Sequence, residues 1–155
     1  MSPGSRSTPL LWACLDAAPE AGVTLHDVVD ERSAGFFSLG LARAGRLPLL
    51  LCTSGTAGAH YLPALMEASA RRLPLVALTA NRPPELHGTA ANQTTAQEHL
   101  FGRAVRAFMD LGVGDGTSVD AALRQGAQAA AAAQHPLPGP VHLDAPFREP
   151  LWAPD

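Results

Sequence analysis

A continuous apolar run that ends in small polar residues decides the fold, and it reads Leu47-Pro48-Leu49-Leu50-Leu51-Cys52-Thr53-Ser54-Gly55-Thr56-Ala57. Such a run predicts a strand that is buried on both faces of a parallel sheet. The small residues 53–56 predict a tight strand-to-helix turn, whose backbone N–H groups suit polar or anionic ligand atoms. A plain connecting turn is equally compatible with the same residues.

The same alternation of strand and helix patterns continues along the chain. The predicted strands are 23–29, 47–52, 74–80, a weaker one within 105–111, and 141–144. The predicted helices begin near residues 8, 31, 57 and 118, and we expect Pro63 to bend the third. This alternation predicts an α/β fold with a mainly parallel sheet sandwiched between helices.

Composition excludes several classes of function. The 155 residues, of which 46% are hydrophobic, are enough for one domain with a core. A net charge of -3 argues against binding to nucleic acid. The sequence has neither an apolar run long enough to span a bilayer nor a signal-peptide pattern, so we expect no membrane association. Cys14 and Cys52 form no CxxC pair, which favours a reducing, cytoplasmic location.

The spacing of the residues argues against three common kinds of site. Ser54 lies on a strand-to-helix turn, but a hydrolase nucleophile elbow needs glycine at position 52, where this chain has cysteine. No G-x-G-x-x-G follows a predicted strand, which argues against a dinucleotide site. The 6 histidines show no metal-ligand spacing, so we predict no metal-binding residue in this chain.

The remaining candidates are polar residues at predicted strand ends, where open α/β sheets bind ligands. They are Ser5, Arg6, Glu31, Thr53, Ser54, Gly55, Thr56, Arg82, Asn92 and Gln93. Arginine offers a planar fork of donors to a carboxylate-bearing ligand, and a glutamate beside it suits proton handling. Glu31 could instead simply complement a helix dipole. The polar stretch 87–98 is either a binding loop or a mobile surface loop.

Taken together and in order, the motifs resemble one family, the 2-succinyl-5-enolpyruvyl-6-hydroxy-3-cyclohexene-1-carboxylate synthases, which are thiamine-diphosphate enzymes of menaquinone biosynthesis. The matching motifs are Ser2-Pro3-Gly4-Ser5-Arg6-Ser7, Asp30-Glu31-Arg32, Thr53-Ser54-Gly55-Thr56-Ala57, Arg82-Pro83-Pro84-Glu85-Leu86 and Ala91-Asn92-Gln93. The resemblance covers residues 1–150 as the family's pyrimidine-binding domain, with 151–155 as a tail or the start of a linker. Asn81 and His60 depart from the family's common Asp and Asn.

The resemblance implies roles for these residues. Glu31 would hydrogen-bond N1′ of the cofactor's aminopyrimidine, and residues 53–56 would lie near that ring. Residues Ser5, Arg6, Arg82, Asn92 and Gln93 would surround isochorismate, the substrate that joins 2-oxoglutarate in the reaction. The resemblance also implies a homo-oligomer, either a dimer or a tetramer.

The resemblance also implies what the chain lacks. Family members have a helix and a strand ahead of the Ser5 turn, so we expect the fold's first helix and strand to be missing. They also bind the diphosphate and Mg²⁺ on a later domain, whose Gly-Asp-Gly motif does not occur here. We therefore expect the isolated chain to be inactive as an enzyme. The alternative is a non-catalytic, truncated interaction module that retains the fold's dimer surface.

Overall fold

The centre of the molecule is a sheet of four parallel strands, seen in a computed structural model that describes residues 1–114 and 119–152. The strands are β1 (Leu49–Cys52), β2 (Leu75–Asn81), β3 (Phe108–Asp110) and β4 (Pro140–Pro146), in the spatial order β1-β2-β4-β3. Leu51 pairs with Leu78, which in turn pairs with Leu143. The predicted parallel sheet is confirmed, and β1 and β2 follow the continuous apolar runs that predicted them, while β4 contains the predicted strand 141–144.

The helices are α1 (Thr8–Ala21), α2 (Glu31–Arg43), α3 (Leu62–Arg71) and α4 (Val119–Gln134). Short 3-10 turns cover Ser5–Ser7, Gly55–Tyr61, Pro84–Leu86 and Gly102–Ala104. Pro63 does not bend a helix as predicted, because it lies in the first turn of α3, where its missing N–H would have no intrahelical acceptor. The predicted start of α4 at residue 118 lies outside the described residues. None of the helices within 1–114 and 119–152 is long and apolar enough to cross a membrane.

Helices cover both faces of the sheet, as predicted. On one face, Leu50 and Cys52 pack with Ala34 of α2 and Leu65 of α3. On the other face, buried side chains of β1, β2 and β4 pack with α4 and with partly buried residues of α1; they include Leu51, Val76, Val141, Ala129, Ala133, Leu10 and Cys14. Because strand side chains alternate between faces, each strand contributes to both cores.

The strand predicted at residues 23–29 is wrong. This segment has no strand in the structure, and two of its backbone hydrogen bonds are to Met1. The Met1 amino group donates to the His26 carbonyl at 2.6 Å, and the Val28 N–H donates to the Met1 carbonyl at 2.9 Å. Ser2 in turn makes an isolated parallel bridge to Cys52.

An apolar cleft of about 750 Å³ lies beside the outer edge of β1. It is lined by residues 23–26 and 47–49 together with residues of α1 and α2. Leu49 is 47% exposed there, although Leu51 on the same face of the same strand is fully buried. The first strand of the sheet therefore has one well-packed half and one open half.

Candidate functional site

The carboxyl ends of β1 and β2 and the loop after β2 meet at one edge of the sheet. Thr53 and Ser54 directly follow β1, and Arg82 directly follows β2. Thr53 and Ser54 are both buried, whereas Thr56 is exposed in the 3-10 turn that follows. Parallel strands bring their carboxyl ends to the same edge, so the sequence order alone makes these residues neighbours.

Ser54, Arg82 and Gln93 are in direct contact. The Arg82 guanidinium donates through Nη1 to the Ser54 hydroxyl and, at 3.0 Å, to the Gln93 carbonyl. The Gln93 amide donates from Nε2 to the Ser54 carbonyl at 3.0 Å. These bonds tie the predicted turn at 53–56 to the predicted binding loop at 87–98. The two segments therefore form one surface rather than a plain turn and a separate loop.

Gly55 is required by this contact. It adopts φ +81, and a Cβ atom there would lie 2.8 Å from Gln93 Cγ and 2.9 Å from the Gln93 carbonyl oxygen. A side chain at position 55 would therefore force the turn and the loop apart. The Gly55 N–H donates to Gln97 Oε1 at 2.7 Å, a partner that the sequence did not predict.

Arg6 supplies a second guanidinium to the same edge of the sheet. It is only 5% exposed, and it donates to the Phe147 carbonyl at 2.9 Å and to Glu149 Oε1 at 3.1 Å. Its Nε is buried without a hydrogen-bond partner in the described chain. Burial, and after it the charge of Arg6, lowers the pKa of Arg82. Two guanidiniums close enough to interact make this edge attractive to a carboxylate.

The Ser5 turn lies against the turn after β1. A Cβ atom built on Gly4 would lie 2.7 Å from Thr53 Cβ, so the backbone at Gly4 packs directly on that side chain. Ser5 itself is exposed, and so is Asn92 in the loop. Across the described residues, neither the Ser5 nor the Asn92 side chain makes a hydrogen bond, so their places in a site remain predictions.

Glu31 is the first residue of α2, as predicted, and it is not the residue that caps the helix. The Asp30 carboxylate caps α2 by accepting a bond from the Ser33 N–H at 2.7 Å. Glu31 is half-buried, and its charge adds to the burial that raises the pKa of the Cys52 thiol to about 12. The same charge contributes to raising the pKa of Tyr61, again mainly through burial. The carboxylate is therefore held near the end of β1.

Glu31 is not joined to the arginines by any hydrogen bond or ion pair among residues 1–114 and 119–152. The structure thus brings together Arg6, Ser54, Gly55, Arg82 and Gln93. It leaves Glu31 as a separate group near the same end of the sheet. Also within these residues, no three His, Cys, Asp or Glu side chains cluster in a way that would hold a metal ion.

A buried polar network beneath the site escaped the sequence analysis. Asp144 of β4 is 3% exposed and accepts three hydrogen bonds, from Thr79 Oγ1 at 2.6 Å, Asn81 Nδ2 at 2.6 Å and Gln97 Nε2 at 2.8 Å. Burial raises the pKa of Asp144, and these donors oppose that effect. A signal for it exists in the sequence, because Thr79, Asn81, His142 and Asp144 alternate with apolar residues in two strands whose patterns predict full burial.

His142 joins the same network. Its Nε2 lies 2.8 Å from Thr79 Oγ1, whose single proton is already donated to Asp144. His142 must therefore donate from Nε2, and its buried Nδ1 has no partner in the described chain. Burial, and then the charge of His99, lowers the pKa of His142 to about 4. A pKa of about 4 leaves the imidazole neutral at pH 7.

Residues 1–101 match a family model described as "Thiamine pyrophosphate enzyme, N-terminal TPP binding domain". The chain belongs to this family. Every predicted site residue of this thiamine pyrophosphate enzyme domain, from Ser5 to Gln93, lies inside the matched segment, whereas β3, α4 and β4 lie outside it.

Three curated relatives of this thiamine pyrophosphate enzyme domain are named 2-succinyl-5-enolpyruvyl-6-hydroxy-3-cyclohexene-1-carboxylate synthase. The chain is 50% identical over 153 residues to that protein of Dechloromonas aromatica, covering 97% of the chain and 28% of the relative. It is 52% identical over 155 residues to that of Halorubrum lacusprofundi, covering 97% and 24%. It is 49% identical over 154 residues to that of Thermobifida fusca, covering 97% and 27%. The predicted resemblance is confirmed, and the chain spans about a quarter of the length of these relatives.

Proposed function

We propose that this chain is the pyrimidine-binding part of a thiamine-diphosphate-dependent synthase of menaquinone biosynthesis. The enzyme would decarboxylate 2-oxoglutarate and add the remaining four-carbon unit to isochorismate. The observation that carries the proposal is the contact of Ser54, Arg82 and Gln93 in a chain about half identical to synthases of that name. The two substrates follow from the same similarity.

Glu31 is the proposed cofactor contact and catalytic residue. Bound thiamine diphosphate supplies the nucleophilic carbon that decarboxylation of a 2-oxo acid needs. The residues present fit its aminopyrimidine, because the half-buried Glu31 carboxylate near the end of β1 has no hydrogen-bond partner in the described chain. Glu31 would accept a hydrogen bond from the protonated N1′ atom of the ring and so hold that proton. Thr53, Ser54, Gly55 and Thr56 would line the same ring.

The two guanidiniums are the proposed contacts of isochorismate. Its carboxylate groups match the planar donor forks of Arg6 and Arg82, and Arg82 is already fixed by Ser54. A substrate carboxylate at Arg6 would compete with Glu149, whose carboxylate accepts from that guanidinium and is itself largely exposed. Ser5, Asn92 and Gln93 would supply neutral polar contacts around the ring of the substrate.

The rest of the enzyme would lie outside these 155 residues. We place the Mg²⁺ and diphosphate contacts there, since no metal-ligand cluster occurs among the described residues. We also place the whole enzyme in the cytoplasm as a homo-oligomer, a dimer or a tetramer. The isolated chain would then bind the cofactor weakly and show no turnover.

A chimeric enzyme tests this function. In it, residues 1–150 replace the matching segment of the Dechloromonas aromatica synthase, and CO2 release from 2-oxoglutarate is measured with isochorismate, thiamine diphosphate and Mg²⁺. We expect turnover, and we expect Glu31→Gln to lower kcat by about 10²–10⁴-fold, as loss of a proton-transfer partner does. Glu20→Gln, at an exposed position of α1, is the control and should have no effect.

Either of two results would count against the proposal. Full activity of the Glu31→Gln chimera would refute the role of that carboxylate. A folded chimera without turnover would refute the synthase assignment and favour the alternative of a non-catalytic interaction module. Sedimentation analysis of the chain would then show whether it self-associates through the fold's dimer surface.

A further inference from the structure

Gln97 connects the turn after β1, the end of β2 and the middle of β4. Its side chain is 1% exposed, and Oε1 accepts from the Gly55 N–H at 2.7 Å. Its Nε2 donates to the Ala80 carbonyl at 3.0 Å and to Asp144 Oδ1 at 2.8 Å. Both N–H groups and the carbonyl oxygen of this amide are therefore in use.

We propose that Gln97 is a positioning residue that locks the turn at 53–56 to the loop at 87–98, and that Asp144 sets the orientation of its amide. The effect on catalysis rests on the synthase function proposed above. The structural lock itself does not, because every contact in it lies within this chain.

Asp144 determines which way the Gln97 amide faces. An ionised carboxylate can only accept hydrogen bonds, so Nε2 must face Asp144 and Oε1 must face Gly55. A flipped amide would place Oε1 against the acceptors of Asp144 and Ala80, and Nε2 against the Gly55 N–H. Asp144 is itself fixed by bonds from Thr79 and Asn81. The orientation of the amide is thus set from two neighbouring strands.

The lock reaches both halves of the proposed site. Gly55 packs on Gln93, with its unoccupied Cβ position 2.8 Å from Gln93 Cγ, so fixing the Gly55 N–H also fixes the surface on which Gln93 lies. Gln93 then holds Ser54 and Arg82 through the bonds described above. The proposed cofactor turn and the proposed substrate loop therefore keep one relative position while Gln97 is in place. Among the described residues, the other hydrogen bonds between the two segments all run through the exposed Gln93.

The lock is tested on the 155-residue chain by amide hydrogen exchange measured with NMR. We expect Gln97→Ala to speed exchange of the Gly55 amide by about tenfold, the effect of losing one buried hydrogen bond, while amides of β3 keep their rates. Gln134→Ala is the control, because the exposed Gln134 amide also donates to a backbone carbonyl. Should Gln97→Ala fail to fold, Gln97→Met keeps the volume and carries the same expectation.

Two exchange results would overturn the lock. One is an unchanged rate at Gly55. The other is a uniform increase across all four strands, which would make Gln97 a residue that only stabilises the fold. Asp144→Asn adds a sharper readout, since it frees the amide to turn, and it should also speed exchange at Gly55.

The catalytic consequence is tested separately in the chimeric enzyme. We expect Gln97→Ala to raise the KM for isochorismate and to lower kcat, each by about tenfold. Wild-type values of both constants in an active chimera would overturn the consequence. A chimera that is inactive with Gln97 present would instead refute the synthase function, and the exchange experiment would still decide the lock.

Discussion

The carboxyl end of the sheet and the outer edge of β1 invert the usual distribution of polar and apolar groups. At the carboxyl end, the polar side chains of Asp144 and Gln97 are 3% and 1% exposed. At the outer edge, the apolar side chains of Leu47 and Leu49 are 38% and 47% exposed. The side chains at the carboxyl end are nevertheless held in one arrangement, because hydrogen bonds are directional and fix each group relative to its partners. Apolar contact has no such direction.

This difference explains why the candidate site lies where it does. A site needs side chains held in one arrangement, and the network beneath Ser54 and Gly55 supplies that by connecting two strands and a loop. The cleft beside β1 is lined mainly by apolar residues. We therefore expect changes in the network to be costly and changes at the cleft to be mild, and the following experiments test that contrast.

Removing the centre of the network should have the largest effect. Asp144→Ala leaves the donors of Thr79, Asn81 and Gln97 buried without an acceptor. Breaking a buried charged cluster in this way costs about 3–5 kcal/mol of unfolding free energy. Urea unfolding followed by circular dichroism measures the loss.

Asp110→Ala is the matched control for that change. Asp110 lies on neighbouring β3, is exposed, and accepts one bond from the Gly112 N–H. Its loss should cost less than about 1 kcal/mol. Equal costs at the two aspartates would remove the contrast between the network and the surface.

Acid should weaken the network through His142. The pKa of this residue is about 4 in the folded chain and 6.5 when unperturbed, so the unfolded state binds more protons between these values. The contribution of His142 is therefore complete above pH 6.5 and is lost as the pH falls through about 4. A difference of this size corresponds to about 3 kcal/mol. Urea unfolding at several pH values, with NMR titration of the imidazole, measures both quantities.

Asp144 affects the stability in acid in the opposite direction to His142. Its folded pKa is raised, so its contribution is present at low pH and is lost as the pH rises through that folded value. His142→Leu removes the imidazole, so its free energy of unfolding should fall less between pH 6.5 and 4 than that of the unmodified chain. His60→Gln, at an exposed position, should show the same fall as the unmodified chain. A flat profile in the unmodified chain would show that the buried imidazole does not control acid stability.

The sequence predicted the strands that are buried on both faces and failed where burial depends on a neighbour. The apolar runs at β1 and β2 need only helices on either side, and the structure provides them. Residues 23–29 have the composition of a strand, but their backbone bonds to Met1 do not extend into a strand pairing. Whether a segment forms a strand depends on its pairing with a neighbour, which the composition of the segment does not show.

The candidate site was predicted in part for a similar reason. Arg82 and the 53–56 turn follow predicted strands, so their convergence was predictable from parallel topology. Gln97 and Asp144 were not singled out, because one lies in a long polar loop and the other in a strand chosen for its apolar residues. Alternating polar residues in strands that are otherwise fully apolar are the signal that would have found the network.

The smallest effect is expected at the cleft, where two leucines of β1 form a matched pair. Leu49 and Leu51 point to the same face of the sheet, but Leu49 is 47% exposed and Leu51 is fully buried. Leu51→Ala should cost about 2–5 kcal/mol, because it leaves a cavity in a packed core. Leu49→Ala removes a side chain that is already half in water and borders an open cleft, so it should cost less than about 1 kcal/mol. Urea midpoints of the two variants measure the difference. Similar losses at both positions would mean that in solution the cleft is closed around Leu49, and that the outer edge of β1 is packed as firmly as the polar end of the sheet.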